Sequence, residues 1–202
     1  MSIFKLKGPP KQPETIEYDT ENISEFKYFP NVHTEFVENK DGAECVCCGK
    51  ISKYVYKNAA ELTDKSGIVL CSDCIANGKA SRKLKLEFNS KYCVAPWCDK
   101  NAQNEVIYKT PSVFSSQEFL WPTCCDDFCA YMGNLADKWH DVSKIYDEID
   151  SSIIDAIKRN ETFVEIGRPI EELIEACNQN SVGVLVFKCL RCGKCRVLID
   201  LD

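Results

Sequence analysis

Hydrophobic residues in this chain fall into short runs separated by cysteine pairs, and the period of each run predicts its element. FKYFP, residues 26 to 30, has aromatic side chains on alternate positions and stops at Pro30, the pattern of a short edge strand. Ile51 to Lys57 (ISKYVYK) reads as a strand rich in Tyr and Val, with Gly67 to Leu70 as its return. Beyond Cys71 and Cys74, the stretch IANGKASRKLKLEF is helix-compatible apart from Gly78. Leu135, Trp139, Val142, Tyr146, Ile149, Ile153 and Ile157 recur at steps of three or four, which predicts a long helix from about Asn134 to Asn160. Its other face carries Asp137, Asp141, Lys144, Glu148 and Asp155. Pro169 opens a shorter helix with Ile170, Leu173, Ile174 and Cys177 on one face, so Cys177 reads as a core residue. Val182 to Lys188 is a strand and Arg196 to Leu201 (RVLIDL) its return. Lys91 to Pro122 shows no sustained period. Residues 1 to 25, polar and rich in proline and acid, read as an extension ahead of a folded part that starts near Phe26.

The cysteines join these fragments into modules. Cys45 and Cys48, closed by Gly49, precede the predicted hairpin; Cys71 and Cys74 follow it and open the next helix. Two CxxC turns supply the four thiolates of a tetrahedral zinc site, because the backbone amides of each turn can face the sulfurs. Cys47 is an alternative to Cys45, but Cys45 has the CxxCG spacing. At the C-terminus, Cys189 and Cys192 with Gly193 form a zinc-ribbon arm that needs partners. Cys125 and Cys129 are the expected ones, at a predicted helix start where the dipole favours thiolates, with Cys124 as the alternative to Cys125. Cys195 reads as a strand residue, and Cys93 and Cys98 as buried thiols, with a weak extra site as the alternative. The expectation is two zinc ions, one held by Cys45, Cys48, Cys71 and Cys74, the other by Cys125, Cys129, Cys189 and Cys192. The fold class is α+β: treble-clef-like and zinc-ribbon-like modules with short β-hairpins and a helical insertion. After the extension, residues 26–202 form a single zinc-binding domain, with a treble-clef-like module at 26–90, a linking segment at 91–123 and a helical plus zinc-ribbon module at 124–202.

Composition narrows the function classes. The 202 residues, 45% hydrophobic and 10% aromatic, suffice for one sizeable core or two small ones side by side. Gly8, Pro9 and Pro10 interrupt the N-terminus before any signal-peptide run, and the longest apolar stretch, Val182 to Phe187, is far shorter than the roughly 20 residues of a membrane helix. A cytoplasmic location is expected, where the 14 cysteines bind metal rather than pair as disulfides. The formal net charge of −6, made more acidic by zinc tetrathiolates, opposes nucleic-acid binding. The densest basic stretch, Lys79 to Lys85 (KASRKLK), reads as a solvated helix face. His33 and His140 read as surface residues, and there is no nucleophile elbow, P-loop, HExxH or dinucleotide fingerprint. The expected function is non-enzymatic protein binding on a zinc-stabilised scaffold. The alternatives are a thiol- or zinc-dependent enzyme, for example a dithiol oxidoreductase using Cys71 and Cys74, and a zinc-ribbon nucleic-acid binder.

Six short pieces together resemble the CbrC family of bacterial proteins. They are FKYFP at 26–30, CVCCGK at 45–50, CSDCIANGKASRKLKLEF at 71–88, Thr110-Pro111 with Gln117-Glu118 ahead of Trp121, CDDFCAYMG at 125–133 and VFKCLRCGK at 186–194. The resemblance runs from Phe26 to the C-terminus. Ser72 and Asp73 stand where the family has Pro-Trp, Cys124 stands where it has histidine, and CVAPWC at 93–98 and residues 1–25 are additional. The resemblance implies tolerance to a DNase-type colicin. A basic nuclease toxin is then the expected partner, and the acidic face of the long helix the expected contact surface.

Overall fold

The computed structural model describes residues 23–59, 67–137, 151–179 and 181–201. It is a mixed α+β fold of short antiparallel hairpins and helices arranged around two clusters of cysteines. The expected extension, residues 1–25, lies outside the described residues up to residue 22; Ile23 already packs on the core, and the Ser24 hydroxyl donates to Asp73 Oδ1 at 2.6 Å.

In the N-terminal half, β1 (Phe36–Glu44) pairs antiparallel with β2 (Ile51–Tyr56), from Phe36 opposite Tyr56 to Glu44 opposite Ile51. The turn between them is the first cysteine knuckle. Residues 67–70, expected as the partner of β2, are not a strand: only their last two residues bond to the hairpin, one to the knuckle and one to the end of β2. Val46 N donates to Val69 O and Tyr56 N to Leu70 O, each at 3.0 Å. β1 is the partner of β2, with a break in register between Glu38 and Ala43, and the shorter segment serves instead to deliver Cys71 beside the knuckle. FKYFP is not a strand either. Strict alternation would turn either Tyr28 or Phe29 to solvent, whereas a turn closed by Phe29 N on Phe26 O at 3.1 Å buries both, together with Phe26.

Cys71 opens α1 (Ser72–Ala76), and α2 (Lys79–Leu84) follows after Gly78, whose φ of +71° breaks what the sequence suggests as one helix. In the segment that shows no period, α3 (Lys100–Lys109) is capped by Asp99, whose Oδ1 accepts from Asn101 N at 2.8 Å and Ala102 N at 3.2 Å.

The C-terminal half begins with a minimal hairpin, β3 (Thr123–Cys124) and β4 (Asp127–Phe128), followed by β5 (Ala130–Asn134). β5, β6 (Val182–Lys188) and β7 (Cys195–Leu201) form an antiparallel sheet in that order. The predicted long helix does not start at Asn134, which ends β5; its Oδ1 accepts from Ala136 N at 3.1 Å and from Val184 N at 3.0 Å, tying the chain to the sheet. Residues 135–137 are a 3-10 turn, residues 138–150 lie outside the described residues, and helix is present as α4 (Ser151–Lys158). Asn160 then caps a separate α5 (Glu161–Ile166). The final helix, α6 (Ile170–Asn178), buries the predicted face of Ile170, Leu173, Ile174 and Cys177.

Strand β6 divides two cores. Its period of two sends Leu185 and Phe187 into an aromatic core with Tyr28, Phe29, Trp121 and Phe128, and Val184 and Val186 into an aliphatic core with Ile157, Leu173 and Ile174. In the first core, Trp121 and Phe187 meet edge to face at 5.5 Å and Phe29 and Tyr131 at 4.8 Å. Among the described residues, no helix is long and apolar enough to cross a membrane.

Candidate metal centres

The first cluster stands where the β1–β2 turn meets the start of α1. Gly49, at φ +77°, lets the knuckle close: its amide donates to Cys45 O at 2.8 Å, and Cys45 N donates to Lys50 O at 2.9 Å. The Cys71 amide, at the N-terminus of α1, donates to Cys45 Sγ at 3.4 Å. Cys45, Cys48, Cys71 and Cys74 bring their sulfurs within 4.8 Å of one another, and Cys48 Sγ lies 3.8 Å from Cys71 Sγ. A tetrahedral zinc ion with bonds of about 2.3 Å has its sulfurs about 3.8 Å apart, so the thiols fit that ion. Cys47, the alternative to Cys45, is outside the cluster and packs in the aromatic core. Lys83 Nζ fastens the knuckle by donating to Val46 O at 2.6 Å and Cys47 O at 3.3 Å.

Electrostatics at this cluster favour one thiolate and resist more. The hydrogen bond shared with Cys71 outweighs burial and, with the knuckle amides, lowers the Cys45 thiol to about 4. That shared bond, and burial, push Cys71 up; burial, against the lowering hydrogen bond with Cys71, takes Cys74 to about 12, with Cys45 and Cys48 adding to the rise. Four thiols so close cannot all ionise unless a cation joins them, and a divalent metal supplies that cation.

The second cluster joins the C-terminal knuckle to the β3–β4 hairpin. The knuckle repeats the first one bond for bond: Gly193 N donates to Cys189 O at 3.0 Å, Cys189 N to Lys194 O at 2.9 Å, and Cys192 N lies 3.5 Å from Cys189 Sγ. Its partners come from the end of β3 and from the two-residue turn after it, in which Cys125 (φ +54°) and Asp126 (φ +61°) are both left-handed, a conformation that hairpins usually give to Asn-Gly. Cys124, Cys125, Cys189 and Cys192 have sulfurs within 4.8 Å of one another, with Cys124 Sγ 3.8 Å from Cys125 Sγ and 3.6 Å from Cys192 Sγ. The Cys192 amide first, against burial, lowers Cys189 to about 6, while the hydrogen bond with Cys192 is the main cause that takes Cys125 up to about 12.

Cys129 is not part of this cluster, contrary to expectation. The chain at Cys125 is a hairpin and not a helix start, so Cys129 is carried past the metal side and into the aromatic core. There its amide donates to Pro122 O and its carbonyl accepts from Trp121 Nε1, both at 2.8 Å, and burial pushes its thiol up to about 12. Cys124 takes the fourth corner and stands beside Cys125 rather than in place of it. The signal in the sequence is the adjacent pair Cys124-Cys125, both of which belong to the cluster. Cys93, Cys98, Cys177 and Cys195 are outside both clusters. His33 is exposed, and His140 lies outside the described residues.

The hairpin is held by Asp127. Its carboxylate accepts from Tyr28 Oη at 2.6 Å and from Lys27 Nζ at 2.9 Å. Burial alone would raise this carboxyl; the Tyr28 and Lys27 hydrogen bonds outweigh it and hold it below the usual range.

Residues 23–201 match the sequence profile of UPF0167, described as an uncharacterised protein family. A UPF0167 protein of Pseudomonas aeruginosa is 27% identical over 192 residues, which cover 89% of this chain and 97% of the relative. UPF0167 proteins of Mycobacterium bovis and Mycobacterium tuberculosis are each 25% identical over 177 residues, covering 86% of this chain and 90% of theirs. No solved structure matches the chain.

Proposed function

The chain belongs to the UPF0167 family, and from that premise we propose that it is a non-enzymatic, zinc-stabilised cytoplasmic protein that works by binding another protein, as its CbrC resemblance implies. The observation that carries this reading is the pair of four-thiol clusters with the sulfur spacing of zinc tetrathiolates. Four thiolates complete the shell of a zinc ion and leave no position for water or substrate, which supports a structural role. Zinc bound this way contributes folding free energy on the order of 10 kcal/mol. In this reading Cys45, Cys48, Cys71 and Cys74 make a treble-clef module, and Cys124, Cys125, Cys189 and Cys192 complete the zinc ribbon whose arm is β6 and β7.

The partner in this reading is a basic nuclease toxin, met through the acidic face that the sequence outlines. Asp155 is exposed on α4; Asp141 and Glu148 lie outside the described residues. The test is a triple reversal, Asp141→Lys, Glu148→Lys and Asp155→Lys, assayed for capture of a DNase-type colicin and for tolerance in cells. Capture and tolerance are expected to fall while zinc content and melting stay as in the parent. If both survive the reversal, this face is not the interface.

A further inference from the structure

We propose that a basic cleft between α2 and α3 binds a small phosphate-bearing ligand. The cleft has a volume of about 460 Å³, within the range of small-molecule sites. Three of its lining residues are the cations Arg82, Lys85 and Lys109, and none is an acid. In a chain with 31 acidic and 25 basic residues, this lining runs against the overall charge.

The cleft is built where side chains of two helices meet: Arg82 and Lys85 from α2 and its C-cap, and Asn104, Tyr108 and Lys109 from α3. Gly78 lies between them with no side chain: a Cβ there would stand 3.1 Å from Arg82 Nη1 and 3.3 Å from Lys109 Cγ. Ser81 Oγ donates to Tyr108 O at 2.6 Å and fixes the spacing of α2 against α3 before any ligand arrives. The cations of α2 are divided in use. Lys83 is spent on the knuckle carbonyls of Val46 and Cys47, while Arg82 and Lys85 line the cleft. Arg82 uses Nη1 on Asn77 O at 3.2 Å and keeps further donors in its fork. Lys109 pairs with Glu105 at 3.0 Å, whereas Lys85 has no carboxylate partner among the described residues.

Glu105 offsets Lys109, which leaves Arg82 and Lys85 as the cations of the lining without a carboxylate, and a ligand carrying two negative charges can meet both. Phosphate suits the guanidinium fork better than a single carboxylate does, because it can accept two parallel hydrogen bonds and still meet a lysine. The Tyr108 ring, also in the lining, adds an aromatic surface for an organic body, so the ligand class is a phosphate ester such as a nucleotide and not free phosphate alone.

The test is calorimetric titration of the full zinc-loaded chain with ADP, pyrophosphate and adenosine. ADP is expected to saturate one site, pyrophosphate to bind the same site more weakly, and adenosine to show no binding. Raising salt should weaken ADP binding. Arg82 and Lys85 are exposed, so Arg82→Ala and Lys85→Ala should fold and keep their zinc, and each should lower ADP affinity about tenfold. The proposal is overturned if neither ADP nor pyrophosphate saturates the protein. It is equally overturned if ADP binds the Arg82→Ala, Lys85→Ala double variant as it binds the parent, or if a single-stranded oligonucleotide binds where ADP and pyrophosphate do not. Zinc content measured on the same samples separates failure of this site from failure of the metal centres.

Discussion

Cys45 and Cys189 hold the same place in two knuckles closed by the same bonds: each amide donates to the lysine carbonyl five residues on, and each carbonyl accepts from the glycine amide four residues on. What the knuckles face is different. The first meets the start of a helix, and Cys45, Cys71 and Cys74 are buried with the aromatic core; the second meets a tight hairpin, where Cys125 and Cys192 are exposed and Cys189 alone is buried. A metal in the first position joins the elements that enclose the N-terminal core. A metal in the second pins a hairpin to the rim of a sheet whose strands already pair along their length. The same local chemistry therefore carries different weights: removing the first metal should dismantle the core, and removing the second should loosen an edge.

The sharpest break in this comparison is a ligand exchange in each centre. Cys74→Ser is expected to give insoluble protein or the largest loss of thermal stability of any single change, because structural zinc contributes on the order of 10 kcal/mol, as much as a whole domain's stability. Cys192→Ser should stay folded with one zinc fewer. Melting followed by circular dichroism checks the pair, and equal melting of Cys74→Ser and parent would remove the structural role from the first centre.

A smaller effect separates the centres kinetically. Exposed thiolates are open to chelators and oxidants, so a chromogenic chelator should withdraw zinc in two phases, the faster from Cys124, Cys125, Cys189 and Cys192. Cys192→Ser should abolish the fast phase and spare the slow one. A single phase in the parent would mean that burial does not distinguish the sites.

Within the second centre, Cys124→Ser should lower the zinc count by one, whereas Cys129→Ser should leave it unchanged and cost about 1–3 kcal/mol for placing a hydroxyl in an apolar core. The opposite outcome would return Cys129 to the ligand set. A loss of the same size is expected from Asp127→Ala, which leaves every thiol in place but removes the acceptor of Tyr28 and Lys27 and should cost about 2 kcal/mol. It should speed the fast phase of zinc release alone, since the hairpin it anchors belongs to one centre.

These contrasts follow how legible each region is in the sequence. Both knuckles could be read because CxxCG encodes its own turn: the glycine takes the left-handed position and the spacing sets the sulfurs. Strand β6 could be read because its apolar run is buried on both faces, and helix α6 because it buries one continuous face. Strand β1 could not, since its outward positions belong to a two-stranded hairpin open to solvent and only Phe36 is fully buried. Helix α3 was hidden by a weak apolar stripe, with Gln103 buried beside Val106 and Ile107, although Asp99 marked its start. The Cys125-Asp126 turn was hidden for a different reason. Two non-glycine residues hold left-handed angles there, which local preference disfavours and the tertiary setting, through Asp127 and the facing sulfurs, imposes. FKYFP misled because aromatic alternation has the same appearance in a strand and in a turn that buries every ring.

The central claim is that the chain carries two metal centres made of cysteine alone, and elemental analysis of protein purified under reducing conditions tests it most directly. The account predicts two zinc ions per chain, falling to one in Cys192→Ser; less than one zinc per parent chain would contradict it.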